Sequence, residues 1–147
     1  MKTFQRETVA KVIDEIKPLL EKHWEEIAHF KDIALDPEYE TYHKAEAADR
    51  IRVFTVRATE GDLIGYGVFF LGSLHYRATK TASQDILFVL PEHRGITGYR
   101  FLEYCDNQLK AEGVKIVYHH VKVAHDFGRL LRRIGYEAVD TIYARRF

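Results

Sequence analysis

The 147-residue sequence holds one cysteine, three prolines, no net charge at neutral pH and no long apolar run. With Cys105 alone, neither an intrachain disulfide nor a cysteine-rich zinc site can form, which fits a reducing compartment. No stretch approaches the roughly eighteen apolar residues of a membrane span, and the opening MKTFQRETVA alternates charge too early for a signal peptide. The expected location is therefore the cytoplasm. Lysine plus arginine and aspartate plus glutamate balance at 22 each, which leaves no overall basic footprint for nucleic acid. Repeats, low-complexity tracts and linkers are absent as well, so residues 1–147 are expected to form one domain.

What is present has clear periodicity. From Thr8 to Phe30 the apolar residues Val9, Ile13, Ile16, Leu20, Trp24 and Ile27 recur three or four apart, an amphipathic helix that Pro18 either kinks or divides. Asp36-Pro37-Glu38 reads as a cap and acidic first turn opening a helix to about Asp49. The period then changes. RIRVFTVRAT, LIGYGVFFLGSLHYR and ASQDILFVL read as strands, with Gly65 and Gly67 marking a bulge or a close backbone approach. A helix from about Thr97 to Glu112 follows, then a strand KIVYHHVKV, a short helix AHDFGRLLRRIG and a last strand YEAVDTIYARR. The order predicts an α/β fold with a mixed sheet and helices on both faces.

The stretch FVLPEHRGITGY, Phe88 to Tyr99, joins a strand to a helix N-terminus, where backbone N–H groups lack partners and carry partial positive charge. Gly95 and Gly98 would let the backbone approach an anion, and Arg94 would add a guanidinium. A plain cap with a surface arginine fits the same residues.

Together with its surroundings, LFVLPEHRG resembles the bend of the GNAT acetyltransferase superfamily, an apolar strand, a V-x-P-x-x-R-G-like turn and a glycine loop on a helix N-terminus. The resemblance covers nearly the whole chain, up to GRLLRRIGYE. HWEEIA, LDPEYETY, HYR, QDILFVLPEHR, YHHVK and HDFGRLL look most like small GNAT proteins of phages and prophages. It implies a single GNAT-like domain with a mostly antiparallel sheet whose central strands splay around the pantetheine arm of acetyl-CoA. It also implies transfer of an acetyl group to a primary amine of a small molecule or protein, by direct attack on the thioester and without a metal. The alternative is a GNAT-fold module that holds acyl-CoA or a protein partner with little or no turnover.

The resemblance assigns roles residue by residue. Phe88, Val89 and Leu90 would offer backbone to the pantetheine and the oxyanion, and Arg94, Gly95, Ile96, Thr97, Gly98 and Tyr99 would hold the pyrophosphate. The glycine loop fits best with one residue removed, so that Gly98 takes the place of its final glycine. His125 and Arg129 would flank the cofactor arm; Asp126 beside them reads equally as a helix cap. The tyrosine that many members use to protonate the departing thiolate is Leu131 here. Asp85, a carboxylate on a mostly apolar strand, and His119 are the candidate bases, and Tyr118 a candidate acid; each also fits an ordinary strand residue. His119 and His120, being adjacent, face opposite sides of a strand and do not have metal-ligand spacing. Trp24, Glu25, Tyr39, His75 and Tyr76 would line the acceptor side, while Glu26 reads better as a solvated helix face. An exposed final strand would allow a homodimer.

Overall fold

The computed structural model describes Met1–Phe147. Its centre is a five-stranded sheet in the order β1 (Thr3–Glu7), β2 (Ile51–Arg57), β3 (Leu63–Leu71), β4 (Thr81–Val89) and β5 (Ile116–Tyr118). The first four strands pair antiparallel and β5 runs parallel to β4.

Alternation of side chains puts two apolar surfaces on this sheet, and each has its own helical cover. On one face α1 (Val9–Ile27) places Val9, Val12, Ile16 and Leu19 against Val53, Tyr66, Val68 and Phe88, with Tyr42 and Ala45 of α2 (Tyr39–Ala47) packed at the margin. On the other, α3 (Ile96–Ala111) places Phe101, Cys105 and Leu109 against Phe54, Val56 and Phe69. A short α4 (Gly128–Arg133) closes the far end.

Thr8 caps α1, its side chain accepting from the Lys11 N–H at 3.3 Å. The helix continues through Pro18, which lies on its exposed side. Proline there removes a donor and crowds the preceding turn. Pro18→Ala should therefore raise stability by about 1–3 kcal/mol, seen as a higher melting temperature; a lower one would contradict this account.

Several expected boundaries move. The polar strand β1 replaces an unassigned N-terminus, because its pairing with β2 and not its own periodicity makes it a strand. The second helix starts at Tyr39 with Glu38 at its cap, not at Asp36. β3 stops at Leu71, where Gly72 turns at φ 101°, so the SLHYR sequence is a loop. β5 keeps only Ile116–Tyr118 of KIVYHHVKV. The expected last strand, YEAVDTIYARR, is unpaired and exposes Val139, Ile142 and Tyr143. Tyr136 donates to Asp106 at 2.7 Å and Arg146 pairs with Asp32 at 2.6 Å, so side-chain contacts hold this segment where a sheet edge was expected. No helix is long and apolar enough to cross a membrane.

Candidate functional cleft

Two local features open the sheet. The first is a bulge in β4: Val68 faces Ile86 and Phe69 faces Gln84, so Asp85 is the extra residue. A bulge bends its strand and re-aims a side chain. Here it brings Asp85 to α2, where the Tyr42 hydroxyl donates to its carboxylate at 2.5 Å. Burial, then the bond to Asp85, push the Tyr42 phenol well above the ordinary tyrosine range.

The second feature is the brevity of β5. Its pairing with β4 ends at Ser83–Tyr118, so β4 from Gln84 to Val89 has no strand on that side. Into the gap opens a cleft of about 250 Å³ lined by β4 (Leu87, Phe88, Val89), the turn and first helical residues (Arg94, Gly95, Gly98, Phe101, Leu102), α1 (Glu26) and the far loop and helix (His125, Phe127, Leu130). Gly65 lets this wall sit close, since a Cβ there would meet the Phe88 carbonyl oxygen at 2.9 Å.

At the head of the cleft Gly95 caps α3 with φ 87°, a conformation that favours glycine. The N–H groups of Gly95, Ile96 and Thr97 have no protein partner, whereas Gly98 N–H donates to Gly95 O at 3.0 Å. Open space surrounds the positions that a Cβ would take at Gly95 and at Gly98. Free donors, the positive helix end and glycine access suit an anion, and the apolar walls suit an extended arm.

Arg94 is not a free cation. Its Nε donates to Val89 O at 2.8 Å and one terminal nitrogen donates to both oxygens of Glu26, at 2.9 and 2.8 Å. Its guanidinium also lies 5.6 Å from the Phe88 ring centre. Glu26 thus ties α1 to the turn, and His125 Nε2 approaches it at 3.7 Å. A signal for Glu26 was present: it continues the stripe Ile16, Leu19, His23 that α1 buries, while Glu25 is exposed. His23 packs on Phe88 at 5.0 Å, and burial lowers its pKa to about 4.

Of the expected cofactor residues, Phe88, Val89, Arg94, Gly95, Gly98 and His125 meet in the cleft. Leu90 is withdrawn, its N–H donating to Ile64 O at 2.8 Å. Thr97 is buried and its hydroxyl accepts from Lys2 at 3.0 Å; Ile96 is exposed, and Tyr99 donates to Glu103 at 2.7 Å. Arg129 is exposed on α4. Asp126 accepts from Gly128 N–H at 2.7 Å just before α4.

The expected catalytic set is dispersed. His119 contacts Gln84 at 2.9 Å and lies edge-on to Phe69, Phe127 and Tyr136; burial lowers its pKa to about 4, so it is neutral at pH 7. Tyr118 sits half-buried opposite Ser83. Asp85 lies on the α2 side of the sheet, and Tyr39 stands nearby with Lys17 4.9 Å from its ring centre. Trp24 is covered by Lys31, and His75 and Tyr76 lie on the exposed loop after β3, so the structure brings none of these to the cleft. Leu131 is buried, with 6% exposure.

No protein-family model matches the sequence, and no curated protein sequence does either. Solved structures do match along the full chain. A ribosomal-protein-alanine N-acetyltransferase from Brucella melitensis biovar Abortus 2308 is 15% identical with a TM-score of 0.73, over 100% of this chain and 99% of its own. An aminoglycoside acetyltransferase from an uncultured soil metagenomic sample, in complex with sisomicin, is 16% identical with a TM-score of 0.73, over 99% and 97%. A predicted acetyltransferase from Clostridium acetobutylicum with acetyl-CoA is 9% identical with a TM-score of 0.71, over 99% and 96%. The fold is the GNAT acetyltransferase fold, a mixed open sheet with helices on both faces.

Proposed function

We propose that this protein is an acetyl-CoA-dependent N-acetyltransferase acting on a primary amine. The observation that carries the reading is the juxtaposition of an unpaired β4 edge with the free N–H groups of Gly95, Ile96 and Thr97 at one cleft. The glycine access and apolar walls fit acetyl-CoA, which supplies an activated acetyl thioester. Gly95, Ile96, Thr97 and Gly98 would take its pyrophosphate, and Leu87 to Val89 would flank its arm. The Val89 N–H, which lies on the edge of β4 away from β3 with the carbonyl that Arg94 bonds, would stabilise oxyanion charge. Leu90 is excluded from that role by its bond to Ile64.

Attack on a thioester needs a neutral amine. Asp85 is the proposed base, acting directly or through water, because the bulge presents it at the surface with Tyr42 fixing its carboxylate. His119 and Tyr118 stand at the point where β4 and β5 part, and their role in this reading is to hold the splay through Gln84 and Ser83. The acceptor would approach from the α1–α2 side, past Tyr39.

The test measures thiol release from acetyl-CoA with putrescine, glucosamine, ethanolamine and a lysine peptide. Turnover is expected with at least one amine, and Asp85→Asn should lower kcat/KM by about 10²–10⁴ while acetyl-CoA still raises the melting temperature. Stabilisation by acetyl-CoA without turnover on any amine would favour a binding module instead.

A further inference from the structure

Resting on the acetyltransferase reading, we propose that His125, steadied by Glu26, protonates the coenzyme A sulfur as the thioester bond breaks. The need is set by the reaction: the acetyl carbon forms a bond to nitrogen, the carbon–sulfur bond breaks, and its electron pair leaves on sulfur. The proton would come from Nδ1 of the His125 imidazolium, the ring nitrogen that does not face Glu26; the ring becomes neutral imidazole and regains a proton from solvent. The proton lost by the amine goes to Asp85 or water.

Elimination within the cleft points to this residue. Its polar side chains are Glu26, Arg94 and His125; the others are apolar or glycine. A guanidinium does not give up its proton in proteins. The Glu26 carboxylate is taken by both Arg94 bonds. Imidazole alone ordinarily changes charge near neutrality.

The tyrosines and the cysteine elsewhere are engaged or misplaced. Tyr136 donates to Asp106, Tyr99 donates to Glu103, Tyr143 is 91% exposed on the unpaired C-terminal segment, and Cys105 is buried under α3. Leu131 offers no proton.

His125 is also positioned. Its backbone N–H donates to Lys122 O at 3.1 Å, closing a tight loop, and its ring faces Glu26 at 3.7 Å. The charged and titratable groups of this corner are His23 and Glu26 from α1, Arg94 from the turn, and Lys122 and Asp126 on the loop of His125 itself. Glu26 is the carboxylate that faces the His125 ring, while Asp126 accepts from the Gly128 N–H at 2.7 Å. At 40% side-chain exposure His125 tolerates replacement without loss of core packing.

Coenzyme A itself is the probe, since its thiol can be titrated by thiolate ultraviolet absorbance while bound, with no acceptor present. On the wild-type protein the thiol should ionise at a pH about one unit below that of free coenzyme A, through a thiolate–imidazolium pair. With His125→Gln the midpoint should return to the free value while coenzyme A affinity stays within about threefold, and Glu26→Gln should move it part of the way. Equal midpoints in wild type and His125→Gln, with coenzyme A bound to both, overturn the proposal and leave acetyl transfer standing. Loss of coenzyme A binding in His125→Gln overturns it too, because the residue is then a binding contact. If coenzyme A fails to bind even the wild type, the acetyltransferase reading falls and this proposal with it.

Discussion

Replacing Gly98 by leucine is expected to raise the melting temperature of the protein alone and to abolish its stabilisation by acetyl-CoA. Gly98 lies in the first turn of α3, and nothing stands within 4 Å of the place its Cβ would occupy. Its φ does not require glycine. A helix former here removes backbone freedom from the unfolded chain and should contribute about 0.5–1 kcal/mol, or about 2 °C in a chain of this size. The same side chain projects into the cleft, between the free N–H groups of the helix end and Phe101 and Leu102. An arm that the wild-type cleft admits would meet the isobutyl group instead. In wild type, ligand at a hundredfold excess over Kd should add about 2.7 kcal/mol; in Gly98→Leu the gain should fall to nearly zero. Paired thermal scans with and without acetyl-CoA decide the matter, and an unchanged ligand-induced shift in the variant would move the cofactor away from this helix end.

Opposite signs for the free and liganded protein make that result hard to obtain by accident, and they separate two layers of information in the sequence. The local structure of FVLPEHRGITGY was legible because glycine and proline act locally. The turn, the helix start and the access at Gly98 follow from residues within a few positions of one another. Strands β2 to β4 were legible for the same reason, each carrying its own apolar pattern.

Features set by distant partners were not legible. β1 has a polar sequence and becomes a strand only because β2 supplies its hydrogen bonds. Asp85 was singled out as a carboxylate on an apolar strand, but its orientation depends on a bulge that only the register with β3 reveals. Arg94 read as a free phosphate ligand until α1 brought Glu26 to it. Alternation in YEAVDTIYARR suggested a strand, yet alternation cannot supply a pairing edge, and the segment is held by Arg146 and Tyr136 instead. The choice of Glu25 over Glu26 failed on geometry: neighbours on a helix point about 100° apart, so only one can follow the buried stripe.

Arg57→Met should destabilise the protein by about 3–5 kcal/mol at pH 7, with a loss that shrinks as the solution is acidified. Arg57 joins three elements. Its Nε and one terminal nitrogen donate to the Glu7 carboxylate at 3.0 and 3.1 Å, both terminal nitrogens donate to Glu15 of α1 at 2.8 and 2.9 Å, and one reaches Gly61 O at 2.9 Å. Glu7 itself is buried on β1 and also accepts from the Thr55 hydroxyl. Burial raises its pKa, but the bonds from Arg57 and Thr55 outweigh that and bring it from 4.5 down to about 2. A depressed carboxylate stabilises the fold above its unfolded pKa, and the contribution disappears as pH falls from about 5 toward 2. At about 1.36 kcal/mol for each pH unit, a fall from 4.5 to about 2 is worth about 3 kcal/mol, consistent with the cost of stranding a buried charge. Methionine keeps much of the volume and removes every donor. Glu7 then keeps its burial and the Lys11 ammonium at 3.3 Å but loses both guanidinium bonds, so the variant should be weakest at neutral pH and approach the wild type as Glu7 takes up a proton. Adding Glu7→Gln to Arg57→Met should recover part of the loss, since an amide is cheaper to leave buried than a carboxylate. Urea unfolding at pH 7 and pH 4 measures both effects, and an equal loss at the two pH values would show that Arg57 acts through packing rather than through the Glu7 charge.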